Sequence, residues 1–213
     1  MLGITGFTLF ILAVVLLSVT PGPDTAYIVG RSVAQGRGAG VVSALGIAVG
    51  CLVHTMACAF GLTALLAASA TAFTIVKFAG AIYLIYLGVR LILTKPASAA
   101  DASKSRVGAA PKTLRQVFTQ GFVTNVLNPK VVLFFVSFIP QFVAADSQHK
   151  TLAFLVLGCV FVVVTTIWNT AVAWIAGSVT QRFSSKPGVK LWLDRVVGSA
   201  FVGLGIKLAT SHR

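Results

Sequence analysis

Charge is what this sequence lacks. Of its 213 residues only 10% are charged, 17 of them Lys or Arg and 4 Asp or Glu. A soluble domain carries about 25%. That scarcity excludes a water-soluble globule. Disorder is excluded as well, because it needs low hydrophobicity and dense charge. Cysteine is scarce and odd in number, with 3 in all. Cys51, Cys58 and Cys159 each fall inside an apolar run, so they read as small packing residues rather than a disulfide framework. No basic residue precedes Arg31, so the positive n-region of a cleavable signal peptide is missing and none is expected. No P-loop is present, which leaves nucleotide hydrolysis without support.

What is present is apolar: 57% of the residues, with a mean hydropathy of +0.94. The sequence reads as an all-α membrane protein. A net charge of +13 invites a nucleic-acid reading. The basic residues lie in short segments between apolar stretches, however, rather than clustered on a polar face, so no nucleic-acid partner is expected.

A helix needs about 20 apolar residues to cross the hydrocarbon. Charge-poor runs predict six transmembrane helices at roughly 4–20, 39–67, 71–94, 114–143, 151–180 and 189–209. The last is the weakest, since Asp194, Arg195 and Lys207 intrude. The second and fifth approach about 30 residues, or roughly 45 Å, and must tilt or project. The polar segment 95–113, rich in Ala, Ser, Pro and Lys, reads as a solvated linker. It divides a single transporter domain, 1–213, into three helices (about 1–94) and three helices (about 114–213).

Loop charge sets the orientation. Arg31 and Arg37 follow the first span; Lys95, Lys104, Arg106, Lys112 and Arg115 follow the third; Arg182, Lys186, Lys190 and Arg195 follow the fifth. These basic loops are expected in the cytoplasm and both termini in the periplasm. Should the sixth helix not span, the C-terminus is cytoplasmic.

Two apolar segments carry a break. The first holds Pro21, Gly22, Pro23 and Asp24, the fourth Asn125, Asn128, Pro129 and Lys130, and each resumes apolar afterwards. Proline removes an N–H and clashes one turn back, yet suits the first position of a new helix. Each region therefore reads as two half-helices. Aligning Pro23 with Pro129 places the breaks at the same point of two three-helix units. An odd helix number inverts the second unit, giving a 3+3 inverted repeat. Interrupted helices at matching places in such halves point to a transporter's binding site. Two unrelated proline kinks are the plainer alternative.

The stretches TPGPDTAYIVGRSVAQGRGAGVVSALGIAVG and FTQGFVTNVLNPKVVLFFVSFIPQF resemble the two signatures of the LysE/RhtB-type amino-acid exporters, in order and at the right spacing. These are small carriers of the bacterial cytoplasmic (inner) membrane. The resemblance implies secondary efflux of amino acids or derivatives: threonine, homoserine, homoserine lactone, leucine or basic amino acids. It also implies proton coupling, and neither enzymatic activity nor a cofactor. In some members Asn stands at the position of Asp24, which weighs against an obligatory proton relay there.

Asp24 is the carboxylate within the first break. Intramembrane acids default to function, here substrate binding and proton exchange, although Asp is also a good helix cap. Lys130 is its counterpart, either a partner for a carboxylate or a snorkelling side chain. Asn125 and Asn128 share a helix face with Gly121 and either contact substrate or repair the backbone at Pro129. His54 and Asn169, the latter in a patch with Thr165, Thr166 and Thr170, lie midway along the second and fifth spans; they face the same cavity or simply bond between helices. Cys51, His54 and Cys58 share a face but lack a fourth ligand, so no metal site is expected. Gly46 and Gly50 form a G-x-x-x-G pair suited to close helix packing.

The leading reading is thus an amino-acid exporter whose partners are a small-molecule substrate and the lipid bilayer; a homo-oligomer is allowed. A divalent-metal exporter would need more carboxylate or His ligands. A membrane thiol–disulfide electron carrier would need paired cysteines near the breaks.

Overall fold

The computed structural model describes residues 2–62 and 112–178, with isolated positions in 71–93 and 199–206. The third and sixth spans, apart from those positions, and linker residues 95–111 lie outside the described residues. The described residues are all-helical; their one bridge pairs Ile4 with Val143.

The described residues form six helices. α1 is Phe7–Val19 and α2 is Pro23–Gln35. α3, Arg37–Met56, continues through a π-helical turn, Ala57–Leu62. α4 is Leu114–Val126, and α5, Pro129–Leu133, continues through a π turn to Phe138 and a 3-10 turn to Phe142. α6 is Lys150–Ser178.

Local chemistry explains the boundaries. Thr113 and Gln116 form a capping box at the start of α4, each side chain accepting the other's backbone N–H. Pro23 and Pro129 occupy the first positions of α2 and α5, where a missing N–H costs nothing. Between α1 and α2 the axis bends by 51°, and between α4 and α5 by 46°. α3 with its extension, and α6, are long and apolar enough to cross a membrane; counting each bent pair as one span gives up to four among the described residues.

Packing follows the apolar stripes. In α1, Phe10, Ala13, Val14 and Leu17 are buried, the i, i+3, i+4, i+7 pattern of a helix with one inward face. Around them gather aromatic rings: Phe10 meets Phe142 edge-on at 5.3 Å, and Phe135 meets Phe161 at 4.8 Å. The opposite faces stay apolar though exposed, as at Leu12, Phe60, Val163, Ile167 and Trp174. Such surface suits lipid rather than water.

The α3–α4 crossing shapes the site. A Cβ on Gly46 would stand 2.2 Å from the Phe118 carbonyl oxygen, and one on Gly121 2.7 Å from the Ser43 oxygen. The two backbones therefore touch through glycine on both sides, the close approach that small residues allow between membrane helices. This crossing presses the end of α4, with Asn125, against the middle of α3.

Candidate functional site

The two breaks meet in the middle of the bundle and stitch each other together. α1 ends with carbonyls that no intrahelical N–H can reach. Thr20 turns its hydroxyl back to Leu16 O at 2.7 Å. Lys130, from the other break, donates its ammonium to Leu17 O at 2.6 Å and to Thr20 O at 2.7 Å. A cation at a helix C-terminus also meets the negative end of the helix dipole. In return, Asp24 at the first turn of α2 is held from the second half: Asn125 Nδ2 donates to Asp24 Oδ2 at 2.7 Å. Asn128 caps α5, its Oδ1 accepting the Lys130 backbone N–H at 3.1 Å.

Asp24, Asn125, Asn128, Lys130 and Asn169 line one pocket, as do Gly22 and Thr165. The space in it open to the centres of water-sized molecules is about 40 Å³, room for roughly three waters. His54 lies behind the wall: its Nε2 is 3.2 Å from Asn125 O and its ring packs on Phe135, so it buttresses the end of α4. Pro21, Pro23 and Pro129 shape the breaks without lining the pocket.

Ser18 and Thr25, and Cys51, which its apolar run marks only as a packing residue, also line the pocket. Ser18 and Thr25 flank the first break within a few residues, a signal that was available. Cys51 stands one residue from Gly50, where α3 touches Asn125: a Cβ on Gly50 would lie 2.6 Å from Asn125 Oδ1.

The chemistry on offer is bipolar. Asp24 Oδ1 and Asn125 Oδ1 are buried acceptors with no hydrogen-bond partner among the described residues. An unmet buried acceptor is costly, and each orphan asks for a donor. In the same pocket, the Lys130 ammonium has three N–H groups, two of them committed to carbonyls. A small molecule with an N–H-rich cation at one end and an acceptor at the other matches this polarity. Among the described residues no three His, Cys, Asp or Glu come together as metal ligands.

Comparison with known proteins gives the family. The family model described as LysE type translocator matches residues 15–212. The chain is 30% identical over 210 residues to an uncharacterised membrane protein of Pseudomonas aeruginosa, covering 99% of this chain and 97% of that one. It is 26% identical over 211 residues to a leucine efflux protein of Salmonella typhimurium, covering 98% and 96%. A Bacillus subtilis membrane protein is 29% identical over 200 residues, covering 92% and 94%. No solved structure matches. The chain therefore belongs to the LysE type translocators, a family of membrane transporters.

Proposed function

We propose that this protein is a secondary exporter of amino acids or close derivatives across the bacterial cytoplasmic membrane, coupled to the proton gradient. The observation that carries the reading is the bipolar pocket at the paired breaks. Asp24 Oδ1 and Asn125 Oδ1 are acceptors unmet among the described residues, and Lys130 offers a cation in the same pocket. An amino acid presents an ammonium and a carboxylate a few ångströms apart. Its ammonium meets Asp24 Oδ1, and its carboxylate meets Lys130 with the N–H groups at the start of α5. The family match and the leucine efflux relatives support this substrate class.

The same contacts suggest how occupancy drives movement. In this state Lys130 holds the end of α1 through Leu17 O and Thr20 O. A substrate carboxylate competes for that ammonium. Binding then loosens α1 from the second half and lets the halves, about 1–94 and 114–213, rock as a 3+3 inverted repeat around the pocket. Asp24, freed of substrate, takes a proton for the return. The basic loops lie in the cytoplasm and the termini in the periplasm.

The test is efflux. Cells are loaded with each of the 20 amino acids as dipeptides, and release is compared with and without this chain. Faster release of one or a few amino acids, lost when the proton gradient is collapsed, is the expected result. Equal release of all twenty in both strains rejects the reading.

A further inference from the structure

A second polar cluster lies at the basic end of the bundle, two helical turns from the pocket. Asp24, Tyr27, Arg31 and Gln35 recur along one stripe of α2. Arg31 stands seven residues from Asp24, about 10 Å along the helix. Three donors from this end converge on one neutral oxygen, Gln120 Oε1 of α4. Lys112 Nζ reaches it at 2.7 Å, the Tyr27 hydroxyl at 3.3 Å and Arg31 Nη2 at 3.4 Å. Arg31 Nη1 donates to Gln35 Oε1 at 2.9 Å, and Gln35 Nε2 to Lys112 O at 2.8 Å.

Two features of the cluster point to a missing anion. Donors outnumber acceptors: an amide oxygen has two lone pairs, while Arg31 alone carries five N–H groups and Lys112 three. Among the described residues no carboxylate pairs with either cation, and Arg31 has only the face of the Tyr27 ring, 5.6 Å away, beside its amide partners. Arg31 is only 8% exposed, yet both its hydrogen bonds among the described residues go to uncharged amides. Buried guanidinium normally sits against a carboxylate or phosphate, whose paired oxygens fit its fork.

We propose that Arg31, Lys112 and Tyr27 form an outer binding station for a carboxylate, which receives the amino acid from the cytoplasmic side before it reaches the pocket. This rests on the exporter reading above. An arriving carboxylate displaces the Gln120 amide oxygen, the weaker acceptor. That breaks the Arg31 link between α2 and α4, since Arg31 reaches α4 only through Gln120. The Tyr27 hydroxyl retains its second acceptor, Val117 O at 2.9 Å. The station thus receives the carboxylate while the Tyr27 bond keeps α2 on α4.

The experiment uses the full chain in inside-out membrane vesicles, which turn the cytoplasmic face outward. Uptake of each of the twenty amino acids identifies the one carried fastest, and that one serves as probe. For Arg31→Gln the half-saturation concentration should rise about tenfold, the worth of one charge-assisted hydrogen bond, with the maximal rate within about twofold of wild type. Arg31→Lys should recover part of the loss, and Lys112→Gln should raise half-saturation about threefold. The amide of the same amino acid, which lacks the carboxylate, should compete equally well against wild type and Arg31→Gln. An unchanged half-saturation, or a fall in maximal rate alone, overturns the proposal and makes the cluster a structural tie. If purified protein in neutral-lipid liposomes shows no Arg31 effect while anionic lipid restores it, the cluster reads a lipid phosphate and the proposal also fails. Should wild-type vesicles carry none of the twenty, the exporter reading fails and takes this proposal with it. Should they carry one without any Arg31 effect, the outer station alone is lost.

Discussion

Replacing Gly46 by alanine probes how the site is held. The added Cβ would stand 2.2 Å from Phe118 O and 3.0 Å from Phe122 N, both backbone atoms of α4. Ordinary carbon–oxygen contact begins at about 3.3 Å. The helices must therefore part by about 1 Å, because no side chain can rotate out of the way. Forcing a tight interface apart costs roughly 1–3 kcal/mol. Gly121→Ala strains the same crossing from the other side, at 2.7 Å from Ser43 O, and should cost somewhat less. Once either substitution has separated the helices, the other meets open space. The double variant should then lose less stability than the two single losses combined, by at least about 0.5 kcal/mol. Unfolding of the purified protein in detergent, followed by tryptophan fluorescence, measures all three variants. Transport should fall with them, since α4 carries Asn125 and α3 carries Gly50 and Cys51 against it. Wild-type stability in Gly46→Ala, or strict additivity in the double variant, would refute the shared crossing.

Three further outcomes follow from the site. Lys130→Met should weaken export of free amino acids more than that of their esters or lactones, which lack the carboxylate; equal losses would make Lys130 solely the cap of α1. Asp24→Asn should remove the dependence of efflux on the proton gradient while leaving the protein inserted, because Asn matches Asp in size and the N-cap of α2 is Gly22, but Asn exchanges no proton; unchanged gradient dependence leaves Asp24 a structural partner of Asn125 alone. Gly22→Cys and Lys130→Cys, in a chain lacking Cys51, Cys58 and Cys159, should cross-link with a short bismaleimide, since a Cβ on Gly22 stands 3.6 Å from Lys130 Cδ; failure to cross-link in folded protein would place the two breaks apart.

Much of the helical layout was legible because its causes are local. Apolar runs mark helices, and a residue without an N–H favours a helix start, as at Pro23 and Pro129. The G-x-x-x-G pair also announced a close approach, and Gly46 makes one. The site was legible only as a set of residue types. Five candidates, Asp24, Asn125, Asn128, Lys130 and Asn169, share the pocket. Their assignments depend on groups a sequence does not display. That Lys130 serves Leu17 O and Thr20 O depends on which backbone carbonyls lack partners across more than a hundred residues of chain. His54 could not be separated from a pocket residue by periodicity, because it shares its helix face with Cys51 and differs only in height. The Gln120 cluster was half visible: Tyr27 and Arg31 repeat on the face of Asp24, but its focus is a neutral amide of α4 that no charge pattern reveals.

The account's central claim is that Asp24 receives the ammonium of an amino acid. Equilibrium binding to purified protein tests it most directly, with the transported amino acid compared against its des-amino counterpart, the same molecule with hydrogen in place of the amine. Removing one partner of a buried, hydrogen-bonded charge pair costs about 2 kcal/mol or more, so wild type should prefer the amino acid by roughly 30-fold or more. In Asp24→Ala the two ligands should bind within about threefold of each other, and continued binding of the des-amino acid shows that the pocket is intact. An undiminished preference in Asp24→Ala would contradict the claim, for the ammonium would then be held somewhere other than the paired breaks.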